Sequence, residues 1–286
     1  MSGQIERSFV RIAEGQVHLR SSAPDAPPDA ASESLPLWMV HASPASSISL
    51  VGLLTELAKT RRVIAPDTLG NGDSAAPAVP SPDIAYYAAA SLRVMDALGI
   101  ERADLYGSHT GAHIVLEMAL AQPQRFGRVV LDGIPVFSAS DKADLLAHYA
   151  PAIEPDSFGT QFHWAWHFVR DQGWFFPYYR RDAAHLCGID APSIEALHST
   201  TLEVLKSIRT YHLAYHAAFS HADRERLPLL RLPALIMADP RDPLRVGVAL
   251  AASLLPGSQH CIVSGAKEVA GCCEKGARIA GFLDAR

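Results

Sequence analysis

The chain has 286 residues, 49% of them hydrophobic and 19% charged, enough to bury a sizeable core in one large α/β domain or two smaller ones. Its 25 basic and 30 acidic residues give a formal charge of −5 and are interspersed, which excludes the electrostatic footprint of a nucleic-acid-binding protein and points to small-molecule partners. No stretch approaches the ~18 continuous apolar residues of a membrane span, and the opening MSGQIERSFVRIAEG lacks the apolar core of a signal peptide, so a cytoplasmic protein without a membrane partner is expected.

In chain order, two short β-patterned runs, SFVRIAEG and QVHLR, precede SSAPDAPPDAASESLP, whose composition sustains no regular element and reads as a surface loop. LWMVH and RRVIAPD are strand-length apolar runs with the helical pattern ISLVGLLTELAKT between them, a βαβ unit that implies parallel pairing. The alternation continues through the helix DIAYYAAASLRVMDALGI, the strand ADLYGS, the helix TGAHIVLEMALAQP and the strand RVVLDG, with Gly99 and Pro123 as stop signals. From about Phe137 to Leu227 it gives way to an aromatic-rich helical stretch, then resumes with ALIMADPRD, VGVALAASLL, QHCIVSG and a final helix near CCEKGARIAGFL. The expected fold is therefore α/β, a doubly wound and mostly parallel sheet built from residues 1–136 and 228–286, with 137–227 inserted as a helical cap. Cys187, Cys261, Cys272 and Cys273 are too few and too irregular for a disulfide framework or a zinc knuckle; they read as reduced, packed thiols, and neither metal nor cofactor is expected.

Four motifs, in order, resemble the α/β-hydrolase fold superfamily in its capped, epoxide hydrolase, haloalkane dehalogenase or esterase-like form. LWMVH followed by ASPASS resembles the family's His-Gly-x-Pro loop, with Ala42 where glycine is usual. PDTLGNGDS resembles the Asp-x-x-Gly-x-Gly-x-Ser stretch, Gly107-Ser108-His109-Thr110-Gly111 occupies the nucleophile elbow, and ADPRDPL resembles the loop bearing the acid, here Asp242. The elbow demands small residues because a strand must turn sharply into a helix, and Gly107 and Gly111 supply the room. The resemblance implies an oxyanion hole from the backbone N–H groups of Ser43 and Thr110.

Two departures set this chain apart from a serine hydrolase. His109 stands at the nucleophile position, and no histidine follows His260, which lies inside the strand QHCIV. The loop where the family keeps its catalytic histidine reads SGAKEVAG, with Glu268, or Val269 after a slip of one residue, at the matching place. A neutral imidazole, with a reference pKa of ~6.5, is reactive near pH 7 without an activating base. His109 is thus a candidate nucleophile toward an acyl carbon or a general base toward water or a C–H beside a carbonyl, with Glu268 or Asp242 fixing its tautomer. Asp132, after the preceding strand, is the alternative acid. Ser108 reads as packing rather than nucleophile, His41 as a support of the oxyanion loop, and His113 as a hydrogen-bonded core residue rather than a metal ligand with His109 and Glu117. His163, Trp164 and His167 are expected to line the pocket under the cap. The expected activity is cofactor-free hydrolysis of a small carbonyl compound, an ester, thioester or C–C substrate; the alternatives are a lyase-type proton transfer and a catalytically silent ligand-binding protein.

Overall fold

Successive side chains of a strand point to opposite faces, so a strand that is apolar at every position must be covered on both sides. That is the pattern of the central strands, and the computed structural model, which describes residues 4–23, 34–187, 192–263 and 269–285, covers them accordingly. The strands are β1 (Glu6–Ile12), β2 (Gly15–Ser22), β3 (Leu37–Val40), β4 (Val63–Pro66), β5 (Ala103–Ser108), β6 (Phe126–Asp132), β7 (Ala234–Ala238) and β8 (Gln259–Ile262). They form one sheet in the order β1-β2-β4-β3-β5-β6-β7-β8, antiparallel from β1 through the β2–β4 pairing and parallel from β4 onward. On one face Trp38, Val40, Leu105, Leu131 and Ile236 pack under α2 (Ile84–Ala97), α3 (Thr110–Ala121) and α9 (Val248–Leu254). On the other, Leu37, Met39, Tyr106, Val130 and Met237 pack under α1 (Val51–Leu57) and α10 (Val269–Leu283). Most of the Pro- and Ala-rich stretch expected as a surface loop, and Glu268, lie outside the described residues.

Between β6 and β7 run α4 (Ala139–His148), α5 (Thr160–Gln172), α6 (Ile194–Lys206), α7 (Tyr211–Ser220) and the single turn α8 (Asp223–Arg226). These helices have an apolar cluster of their own, in which Tyr149 and Phe168 pack against Tyr178, Tyr211, Tyr215 and Phe219. They are fastened to the sheet's loops by a hydrogen bond from Thr210 Oγ1 to the Gly70 carbonyl, 2.6 Å, and by the Lys206–Asp73 ion pair, 3.1 Å.

Strand order reverses at β3, which has β4 on one side and β5 on the other, and in an open parallel sheet the crevice beyond such a reversal is where ligands bind. The β3 and β5 ends meet there with almost no clearance. A Cβ on Gly107 would fall 2.2 Å from the Gly111 carbonyl oxygen, and one on Gly111 would fall 2.2 Å from that of Val40. The turn from β5 into α3 closes only because both side chains are absent. Gly111→Ala is accordingly expected to lower unfolding free energy in urea by about 3 kcal/mol, at the upper end of overpacking costs. Gly281→Ala, on the exposed side of α10 with nothing within 4 Å of its added Cβ, is expected to raise it by up to about 1 kcal/mol through helix propensity.

Candidate active site

The turn between β5 and α3 puts His109 at φ 49° and ψ −111°, and among the described residues it is the one non-glycine with positive φ. Holding such a conformation costs roughly 1–3 kcal/mol and requires a surrounding structure that over-determines it. Here the surroundings do so: the His109 N–H donates to the Asp132 carbonyl, 2.8 Å, extending the β5–β6 ladder by one rung, while its own carbonyl accepts from Ala112, 2.8 Å, to open α3. The side chain, 38% exposed, is thereby lifted off the sheet end.

Its Nε2 lies 2.6 Å from Asp242 Oδ2. Asp242 follows β7 and caps the 3-10 turn Pro243–Gly247, where its Oδ1 accepts from the Leu244 N–H at 2.8 Å; one oxygen fixes the loop and the other is left for the ring. Room for the ring comes from Gly133, at φ 66°, where a Cβ would fall 2.4 Å from His109 Cδ2 and 2.9 Å from Asp242 Oδ2. Burial of the ring disfavours its charged form, but the Asp242 carboxylate, by charge and by hydrogen bond, outweighs this and raises the His109 pKa above its ordinary value. Burial likewise works against the Asp242 carboxylate, yet His109 and the Leu244 N–H hold its pKa below the usual range. An ionised Asp242 accepts from Nε2–H, which leaves Nδ1 with its lone pair, and among the described residues Nδ1 has no partner.

His41, beneath the loop after β3, donates from Nδ1 to the Ala42 carbonyl, 2.8 Å, and accepts the Thr68 N–H on Nε2, 2.9 Å. Both nitrogens are used, and burial lowers its pKa, so it is a neutral strut between two loops. The second of these loops hangs on Asp67, which takes the Nδ1 of His18 at 2.9 Å, the N–H of Ser47 at 2.8 Å and that of Asp73 at 3.0 Å. That accounts for the Asp-x-x-Gly-x-Gly-x-Ser motif, since a Cβ on Gly72 would fall 2.2 Å from Asp67 Oδ2. The N–H of Ser43, at the β3 end, and that of Thr110, the first residue of α3, donate to no group among the described residues. Ser108 sits beside the Tyr106 hydroxyl rather than His109.

The other acid is already committed. Asp132 Oδ2 accepts from the Tyr106 hydroxyl and is ion-paired with Lys275 of α10, both charged side chains being under 8% exposed. Lys275 escaped the sequence reading although it lies in the buried stripe of α10 with Cys272, Ile279 and Phe282, where a lysine among apolar positions is itself the signal of a buried partner. The histidines of α5 correct an expectation: His163 and His167 are on the exposed face of that helix, because Ala165, Phe168 and Val169 form its buried side, while Trp164 stacks on Phe168 at 4.7 Å inside the helical layer. A cleft of about 500 Å³, lined by Phe137, Leu145, Phe176, Arg180, His185 and Leu244 among others, opens beyond the Asp242 loop and does not reach His109.

The profile of the alpha/beta hydrolase fold family matches residues 36–187. A 2-hydroxymuconate semialdehyde hydrolase of a Pseudomonas species is 42% identical over 123 residues, 41% of this chain and 44% of that one. A 2-hydroxy-6-oxo-2,4-heptadienoate hydrolase of Pseudomonas putida is 33% identical over 103 residues, 35% of this chain and 37% of its own length. The chain thus spans less than half the length of these curated relatives. Among solved structures, an epoxide hydrolase from an endophytic Streptomyces superposes with a TM-score of 0.71 at 20% identity, covering 98% of this chain and 95% of that one. A meta-cleavage product hydrolase from Pseudomonas fluorescens does so at 0.68 and 16%, covering 97% of both. With more than half of its residues inside the matched region, and with a strand order, elbow and acid loop built as described above, the chain belongs to the α/β-hydrolase fold family.

Proposed function

We propose that the protein is a cofactor-free hydrolase of a small carbonyl compound and that the His109 imidazole, paired with Asp242, is its general base. The observation that carries this reading is the 2.6 Å contact between Nε2 and Asp242, which leaves Nδ1 as the free lone pair at the end of β5. A carboxylate on the far nitrogen stabilises the imidazolium that forms when Nδ1 takes a proton, and this favours the base over the nucleophile. Nδ1 removes a proton from water, the hydroxide adds to the substrate carbonyl carbon, and the oxygen gathers negative charge against the N–H groups of Ser43 and Thr110. Collapse of this adduct breaks the bond to the leaving group, ester oxygen, thiolate or stabilised carbon, which takes the proton back from the imidazolium. Residues 137–227 serve as the lid, and the names of the relatives make a C–C bond beside a carbonyl the first substrate to try.

Wild-type protein is expected to turn over 2-hydroxymuconate semialdehyde or a member of a panel of activated esters and thioesters, and His109→Ala to lose that turnover by roughly 10²- to 10⁴-fold with an unchanged circular dichroism spectrum. Undiminished turnover in His109→Ala would end the proposal, and tight binding with no turnover by wild type would leave a ligand-binding protein. His109→Ser is not expected to recover esterase activity, because no other imidazole stands ready to activate the serine.

Because the reactive ring is the neutral one, kcat/KM is expected to rise with pH through a midpoint above the ring's ordinary 6.5. In Asp242→Asn the largest charge that raises the ring is gone, and burial together with Lys275 outweighs Asp132, so the midpoint moves to lower pH as kcat falls. A midpoint that rises or stays in place would show that Asp242 does not hold the reacting ring.

Fluorophosphonate reagents need an activated hydroxyl, and among the described residues no hydroxyl is hydrogen-bonded to His109. The intact mass of protein treated with such a reagent is expected to be unchanged. A stoichiometric adduct on Ser108 would move the chemistry one residue along the elbow.

A further inference from the structure

One turn along α3 from His109, on the side facing the end of the helical insert, three ligating atoms converge. His113 Nδ1 is 2.8 Å from Asp223 Oδ1, His221 Nδ1 is 2.7 Å from the same oxygen, and the two nitrogens are 3.3 Å apart. His113 and Asp223 are 1% exposed and His221 8%. The sequence reads His113 as a hydrogen-bonded core residue rather than a ligand with His109 and Glu117, and the fold brings it to residues more than a hundred positions away.

The remaining atoms of the cluster favour a cation at its centre. His221 Nε2 is 2.9 Å from Glu117 Oε1, and Glu117 is locked as a carboxylate by two hydrogen bonds from Arg226, 2.7 and 2.6 Å. Glu117 therefore accepts from His221 Nε2–H, which turns the other nitrogen of that ring, Nδ1, toward Asp223 Oδ1 and His113 Nδ1. Three lone-pair atoms this close need a proton or a metal ion among them. Asp223 is used unevenly: Oδ1 faces both imidazoles, while the buried Oδ2 has no hydrogen-bond partner and only the Lys142 ammonium near it, 3.6 Å away. A carboxylate bound to a metal through one oxygen, with an outer cation near the other, has this form, and a ligating histidine whose second nitrogen is held by a carboxylate is its usual companion.

We propose that His113 Nδ1, His221 Nδ1 and Asp223 Oδ1 form a site for one divalent ion of the zinc–cobalt class, with Glu117 orienting His221 from behind. Two imidazoles and a carboxylate suit such an ion better than magnesium or calcium, which prefer all-oxygen shells. The ion would join α3, the helix that begins at the elbow, to the start of α8. The proton these atoms share in the empty cluster must leave as the ion enters, so metal uptake releases protons.

The test uses the whole chain, stripped with a chelator and dialysed, then titrated with Co²⁺ and with Zn²⁺. Expected are one ion per chain, visible d–d absorption of a four- or five-coordinate cobalt site, proton release into a weakly buffered indicator, and a higher melting temperature with zinc. Glu117→Gln is expected to weaken binding roughly 10- to 100-fold while the protein stays folded, and Asp223→Asn to abolish it. A folded wild-type protein that takes up neither ion at 100-fold excess, or that binds them equally well in folded Asp223→Asn, would overturn the site and leave a proton-filled hydrogen-bond cluster. These readouts are independent of turnover, so the metal proposal and the proposal for His109 fail separately.

Discussion

The positive φ of His109 is the constraint to which the rest of the site answers. A histidine is held there only because the residue is pinned from both sides, by the Asp132 carbonyl on its N–H and the opening bond of α3 on its carbonyl. Those two bonds require β5 and α3 to approach so closely that Gly107 and Gly111 lose every alternative, and the approach in turn sets where the β3 end can lie. The strain, of order 1–3 kcal/mol, is met by the packed apolar faces of the central strands and by the Tyr106–Asp132–Lys275 contacts at the point where the turn is anchored. The turn also leaves the Thr110 N–H, the first of α3, without an acceptor among the described residues.

Charge is distributed over the same few ångströms so that the two acids do not compete. Lys275 answers Asp132 from below the sheet end, and Asp242 has only the His109 ring and one backbone N–H. The pairing with Asp242 pulls stability and chemistry in opposite directions along the pH axis. A ring pKa raised on folding means the charged pair stabilises the fold fully below 6.5, and that this contribution is lost as pH rises through the folded value. The neutral ring that takes a proton exists only where that contribution fades. A site whose base were its most stabilising ion pair at working pH would be an inactive one.

Much of this was legible because it is local. The strands LWMV, ADLYGS, FGRVVLD and ALIMA are short apolar runs between breakers, and the elbow's glycines, its histidine and the Asp-Pro turn after β7 lie in readable frames. What escaped is long-range or lies against the grain of composition. Lys275, the ion-pair partner of Asp132, and His221 and Arg226, the partners of Glu117, come from elements a hundred or more residues away, and no spacing along the chain announces them. His163 and His167 illustrate a different failure. The 3.6-residue period running through Ala165, Phe168 and Val169 already turns both histidines outward, and the weight given to the aromatic run hid it.

The family pattern resembled by this sequence spreads its chemistry over three loops: a nucleophile at the elbow, a histidine after the last strand and an acid between them. Here the imidazole stands at the elbow itself, and the acid after β7 has kept its place. The ring bridges the gap that the absent Gly133 side chain leaves open, so elbow and acid touch directly. On the proposed reading one residue serves where two divide the work in the family pattern, and the carboxylate on its far nitrogen is what that role requires. It also narrows the chemistry. A base that reaches its acid without an intermediary has only Nδ1 left to offer, and whatever reacts must come to that single lone pair from the open side of the crevice.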